Sequence, residues 1–216
     1  MLSIVKSIAL NGLNGYLVKV ETDVTGGLPS FDIVGLPDTS VREAKERIRA
    51  AIKNSHMEFQ SRRILINLAP ASTKKEGTCL DLPMAIGILF AFGEIYTKIN
   101  LDETAFIGEL SLDGKINRVN GVLPMCVDAV KLGIKRVIVP KDNKEEAGVI
   151  KDLEVIPVES LNEIIRYLNN KKNIDRYNVD MNNILKISDK YIEDFCEVKG
   201  QENIKRALEV AAAGRT

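Results

Sequence analysis

Residues 74–91 read KKEGTCLDLPMAIGILFA. A Lys-Glu-Gly turn runs into a segment, Leu80 to Phe92, that is apolar almost all the way round. A helix with no polar face has to be covered on every side. The stretch therefore predicts a buried central helix, with other elements wrapped around it. It also poses a chemical question. Cys79 sits at the start of that helix, where backbone N–H groups and the dipole favour a thiolate.

Around this stretch, composition sets the limits. The 216 residues carry 30 basic and 30 acidic side chains, so a uniformly basic nucleic-acid coat is excluded and only a local patch remains open. Trp is absent and aromatics make up 5%, which calls for an aliphatic core. Cys79, Cys126 and Cys196 are odd in number and far apart, without a CxxC pair. That fits a reduced, cytoplasmic protein better than a disulfide framework or a zinc site. His56 is the only histidine, so no metal-ligand cluster is expected. The opening MLSIVKSIALNG does not read as a signal peptide, and Leu80–Phe92 is too short to span a bilayer.

Ser3–Ala9 and Tyr16–Thr22 alternate as strands, with Asn14-Gly15 between them as a hairpin turn signal. Phe31–Val34 reads as a short strand. A helix follows Asp38-Thr39-Ser40, with Ser40 and Glu43 spaced as a capping box and Val41, Ala44, Ile48, Ala51 and Ile52 on its inner face. Arg63–Leu68 is extended. Residues 105–116 read strand, Asp113-Gly114 turn, strand; Val122–Leu132 is a helix closed by Gly133; RVIVP (136–140) is a buried strand. A helical turn at 144–147, a strand at 154–158 and a helix at 160–169 complete a compact domain over 1–170. Residues 171–193 read as a linker or docked arm, and 194–216 as a second, capped helix without a core of its own.

GLPSFDIVGLPDTSVREAKERIRAAIKNS (27–55) and RRILINLAPASTKKEGTCLDLPMAIGIL (62–89) together closely resemble the ComM/YifB family of magnesium-chelatase-like AAA+ ATPases. VKGQENIKRALEVAAAG (198–214) resembles the opening of that family's ATPase module, where Val198, Gly200 and Gln201 would border the nucleotide. The phosphate-binding loop G-x-x-x-x-G-K-[ST] does not occur in the sequence. The nearest approximation, Gly108 to Ile116, has one residue too many and Ile where a hydroxyl is needed. The resemblance thus implies a piece of a longer protein. ATP and Mg²⁺ belong to the parent, and this part needs no cofactor. It further implies an α+β fold, a Lon-peptidase-like mixed sheet with packed helices. The family association is with ATP-driven branch migration in recombination, which implies a hexamer as partner assembly and single-stranded or branched DNA as ligand.

Lon-type peptidases pair a serine after a basic-acidic-glycine turn with a lysine just after a Gly-Gly-Leu step. Here Lys75-Glu76-Gly77-Thr78-Cys79 puts Cys79 at the serine position, and Asn120-Gly121-Val122-Leu123 puts Leu123 at the lysine position. Leucine cannot accept a proton. The expectation is therefore a degenerate dyad and no catalysis, unless Lys115 or Lys131 reaches the sulfur. The alternative is a cryptic cysteine or Lon-type peptidase using Cys79. Asp81, two residues beyond the sulfur, reads as a dipole-matched cap. For DNA, the nominated residues are Arg42, Lys45, Arg49, Arg62, Arg63, Lys74 and Lys75, with Arg47 and Lys53 on the same helix and Phe59 as the one nearby aromatic.

Overall fold

A computed structural model describes residues 1–179 and 197–214. They fall in two units, Met1–Val179 and Asp180–Thr216.

In the first unit, strands β1 (Leu2–Asn11) and β2 (Asn14–Thr25) form an antiparallel hairpin in which Asn11 pairs with Asn14. The turn is therefore Gly12-Leu13, not Asn14-Gly15. Gly12 stands at φ +62°, as the first central residue of a tight hairpin turn requires. Strands β3 (Ser30–Val34), β4 (Arg63–Ala69), β5 (Thr104–Phe106), β8 (Arg136–Pro140) and β9 (Glu154–Val158) extend this hairpin into one sheet, in the order β3-β4-β2-β1-β5-β8-β9. The β1–β2 and β2–β4 pairs are antiparallel and the other four parallel, so the sheet is mixed, as expected. β6 (Glu109–Leu110) and β7 (Ile116–Asn117) make a separate small hairpin.

Two helices clasp the β1–β2 hairpin. Helix α2 (Asp81–Phe92) lies against the face that carries Ser3 and Thr22; the Ser3 hydroxyl donates to the Gly87 carbonyl at 2.7 Å. Helix α3 (Val122–Lys131) lies against the opposite face, where the Gly15 N–H donates to Asp128 Oδ2 at 2.6 Å. A Cβ on Gly15 would come within 2.8 Å of the Asp128 Cβ. The Asn-Gly pair thus marks a close approach of a helix, not a turn. Helix α1 (Thr39–Asn54) packs over α2, burying the five residues its periodicity nominated. Its cap is Asp38, whose side chain accepts from the Val41 N–H at 2.8 Å, so the Ser40–Glu43 box is not what starts it. From Asp81 to Leu89 every residue of α2 is buried. Each fully buried aliphatic side chain there contributes about 1.5–3 kcal/mol.

Helices α4 (Lys144–Gly148) and α5 (Leu161–Leu168) complete the unit, and the Tyr177 N–H donates to the Val155 carbonyl at 2.8 Å, tying Tyr177 to β9. In the second unit, helix α6 (Glu202–Gly214) carries no buried residue, and Ile204, Leu208 and Val210 are all exposed. Cys196 and most of the expected 171–193 linker lie outside the described residues.

Candidate functional site

Sequence motifs far apart in the chain converge on the loop that precedes Cys79. Val34–Asp38 and Lys75 run side by side: the Lys75 N–H donates to Leu36 O and the Asp38 N–H to Lys75 O, both at 3.0 Å. Asp38 also accepts from the Gly77 N–H. Gly35, at φ +99°, lies so close to Leu68 that a Cβ would strike its carbonyl. The Lys75 side chain is fully buried, and its ammonium donates to the carbonyls of Pro70 and Thr73. Burial pushes its pKa down. Lys75 was nominated above as a DNA contact; the structure removes it from that role, because its charge is spent on closing the 70–75 turn.

Asp81 has a similar fate. Its side chain is 1% exposed and takes two hydrogen bonds from Arg47, Nε at 2.7 Å and Nη2 at 3.0 Å. It also accepts from the Leu110 N–H. Burial pushes the Asp81 carboxyl up, and the guanidinium works against that shift. Asp81 is therefore a partner for Arg47 between two helices, more than a helix cap, and Arg47 leaves the basic face.

Cys79 is 6% exposed. Its backbone is pinned to the β5–β6 connection, with the Gly108 N–H donating to Cys79 O and the Leu82 N–H to Gly108 O, both at 3.0 Å. Gly108 thus serves packing, which removes the Gly108–Ile116 segment as a phosphate loop. Burial, then the negative charges of Asp81 and Asp38, push the thiol up to about 12. No lysine donates to its sulfur among the described residues. Lys115 and Lys131 are instead paired with Asp113 and Asp128. A cavity of about 410 Å³ adjoins Cys79, lined in part by Glu76, Thr78, Glu109, Arg118 and Asn120. Thr78 donates to Glu109, which also accepts from Asn117. Leu123, on the first turn of α3, is 37% exposed and lies outside that lining. The Cys79 thiol thus stays protonated at neutral pH, and the Leu123 side chain has no group that could accept a proton. Among the described residues no group of three or more His, Cys, Asp or Glu is placed to hold a metal.

Residues 20–143, more than half of the chain, match the family described as subunit ChlI of Mg-chelatase. The chain belongs to the ChlI family. The YifB protein of Escherichia coli K12, described as uncharacterized, is 40% identical over 214 residues, covering 99% of this chain and 41% of that protein. The competence protein ComM of Haemophilus influenzae is 35% identical over 215 residues, 99% of this chain and 42% of ComM. The chain thus spans about two fifths of the length of these relatives. The Lon protease of Trichlorobacter lovleyi is 22% identical over 175 residues, 76% of this chain and 21% of the protease.

On this ChlI-family domain the remaining basic candidates divide. Lys45 faces Asp32 at 3.9 Å, and Lys74 pairs with Glu76 at 2.7 Å. Arg42, Arg49, Lys53, Arg62 and Arg63 are exposed and have no carboxylate within 4.0 Å among the described residues. Three of them, Arg49, Lys53 and Arg62, line a single concavity with Phe59. Arg49 and Lys53 are four residues apart on α1, a spacing that already puts them on one helix face. That Arg62 and Phe59 fold back to meet them is tertiary. In the second unit, Val198, Gly200 and Gln201 are all exposed, and Gln201 O accepts from the Ile204 and Lys205 N–H groups at the start of α6.

Proposed function

We propose that this chain is a non-catalytic regulatory, assembly or DNA-engaging domain of a ComM/YifB-type AAA+ ATPase, and of these roles DNA engagement is the one its surface supports best. In this reading the longer protein is a cytoplasmic hexamer that couples ATP hydrolysis to moving DNA strands in recombination or transformation. ATP and Mg²⁺ are held by the ATPase module, with Val198, Gly200 and Gln201 at its border. The domain contributes a tier of the ring and a surface for the strand.

One observation carries this reading. The position of a Lon nucleophile holds a buried thiol near 12, with Leu123 where the amine would be. The surrounding motif residues Gly35, Asp38 and Lys75 are engaged in building the loop itself. Among the nominated basic residues, Arg42, Arg49, Lys53, Arg62 and Arg63 are exposed and free of a carboxylate within 4.0 Å among the described residues, which suits a polyanion. The designation of the Haemophilus relative as a competence protein supports DNA as that polyanion.

The test uses the full-length protein. ATP hydrolysis is measured with and without single-stranded and branched DNA, alongside degradation of unfolded casein. Stimulation by DNA with no casein cleavage is expected. Casein cleavage abolished by Cys79→Ala would overturn the non-catalytic assignment.

A further inference from the structure

We infer that the concavity between Arg49, Lys53, Phe59 and Arg62 is a phosphate cradle for a single-stranded nucleic-acid backbone. This rests on the DNA-engaging reading above and gives that reading a site.

The geometry begins with α1. Burial of Val41, Ala44, Ile48, Ala51 and Ile52 turns Arg49 and Lys53 outward together. The segment after α1 is anchored by Phe59, whose ring stacks on Phe31 at 6.3 Å and meets Phe92 edge-on at 5.8 Å. That anchor returns Arg62 to the same spot, just before β4. The Arg49 guanidinium lies 5.3 Å from the Phe59 ring centre, which restrains its side chain. Pro29 and Ser30, at the start of the edge strand β3, and Gln60 and Ser61 close a space of about 190 Å³. The lining holds three cations, three neutral hydrogen-bonding side chains and no carboxylate. Glu46 and Glu58 are near in sequence but are not part of that lining.

Three like charges on one small recess repel one another, and among the described residues no carboxylate lies within 4.0 Å of them. The chain as a whole is charge-balanced, so the concentration is local. An anion relieves it, and two arginines with hydroxyl and amide donors suit the several oxygens of a phosphate. The recess is concave. A flexible single strand can bend a phosphate into it, whereas duplex DNA, stiff over about 50 nm, presents its phosphates on a convex surface.

The test uses the 216-residue chain and a 5′-fluorescein oligothymidylate, with anisotropy read across a salt series. Lys53→Gln/Arg62→Gln removes two exposed charges without unpairing any carboxylate. Lys98→Gln/Lys151→Gln removes two exposed charges elsewhere. The cradle variant is expected to lose at least tenfold in affinity, and the magnitude of its log K against log salt slope to fall by about 1.4, two contacts at roughly 0.7 each. The remote variant keeps the wild-type slope, and a duplex of the same length binds more weakly. Equal losses in the two variants would overturn the cradle while leaving DNA engagement standing. No binding by the wild-type chain would overturn both. Retention on phosphatidylserine vesicles without oligonucleotide binding would assign the cations to a membrane surface and overturn the proposal.

Discussion

Replacing Arg47 by leucine should destabilise this domain strongly, and in a way that acid relieves. Arg47 supplies two of the three hydrogen bonds that Asp81 accepts, and the Asp81 side chain is 1% exposed. Removing one partner of such a pair leaves an uncompensated buried charge, at a cost of about 3–5 kcal/mol. Arg47 is 22% exposed, so water enters once it is gone, and the lower end, about 3 kcal/mol, is the expected loss. With a urea m-value of about 2 kcal/mol/M, the midpoint moves down by about 1.5 M. The pH dependence gives a second reading. Burial already raises the Asp81 carboxyl, and the guanidinium opposes that rise. In Arg47→Leu the folded-state pKa therefore climbs further above the unfolded value of about 3.9. The folded state then binds a proton that the unfolded state lacks, so the penalty is full above the raised pKa and fades as pH falls toward 4. The variant's deficit should be smaller at pH 5 than at pH 7. Arg47→Leu/Asp81→Leu should recover most of the loss. A deficit below about 1 kcal/mol at pH 7, or one that grows on acidification, would show that Arg47 does not compensate a buried Asp81 charge.

Lys75→Met should cost about 2 kcal/mol, through two lost charge-assisted hydrogen bonds, and leave oligonucleotide affinity unchanged; urea unfolding and anisotropy measure the two, and lost affinity in a folded variant would return Lys75 to the basic face. Gly35→Ala combines a positive φ with a collision at Leu68 O and should lose more than about 2 kcal/mol, against a few tenths for Gly26→Ala, where the space is open. Leu123→Lys puts an amine back at the dyad position, but that side chain lies outside the cavity beside Cys79. Stability should change by less than about 0.5 kcal/mol and casein should remain intact, so the appearance of cleavage would contradict the geometry.

Periodic features were readable from the sequence because local spacing alone dictates them. The inner face of α1, the buried α2 and the Gly133 end of α3 are of this kind. Errors arose where a distant element set the outcome. Asn14-Gly15 carries a turn signature, but Gly15 is glycine because Asp128 of α3 approaches it, and the chain turns two residues earlier. Ser40 and Glu43 have capping-box spacing, yet Asp38 reaches the Val41 N–H first and ties Gly77 as well. Lys75 looked like surface charge beside Lys74; only the convergence of 34–38 and 70–75 buries it. At the site, the vacancy of the dyad was legible in Leu123, since a residue type is enough to exclude proton transfer. The cradle was half legible. Arg49 and Lys53 share a helix face by their spacing, whereas Phe59 and Arg62 join them only through aromatic packing on Phe31 and Phe92.

The rate of Cys79 carbamidomethylation in the folded chain tests the non-catalytic assignment most directly. Iodoacetamide at pH 8, followed by peptide mass mapping, compares Cys79 with N-acetylcysteine. A thiol near 12, against about 8.5 for an unperturbed one, leaves roughly a thousandth of the thiolate or less. Labelling slower by at least that factor is the predicted result. Labelling of Cys79 as fast as the free thiol would contradict the account and restore this sulfur as a nucleophile.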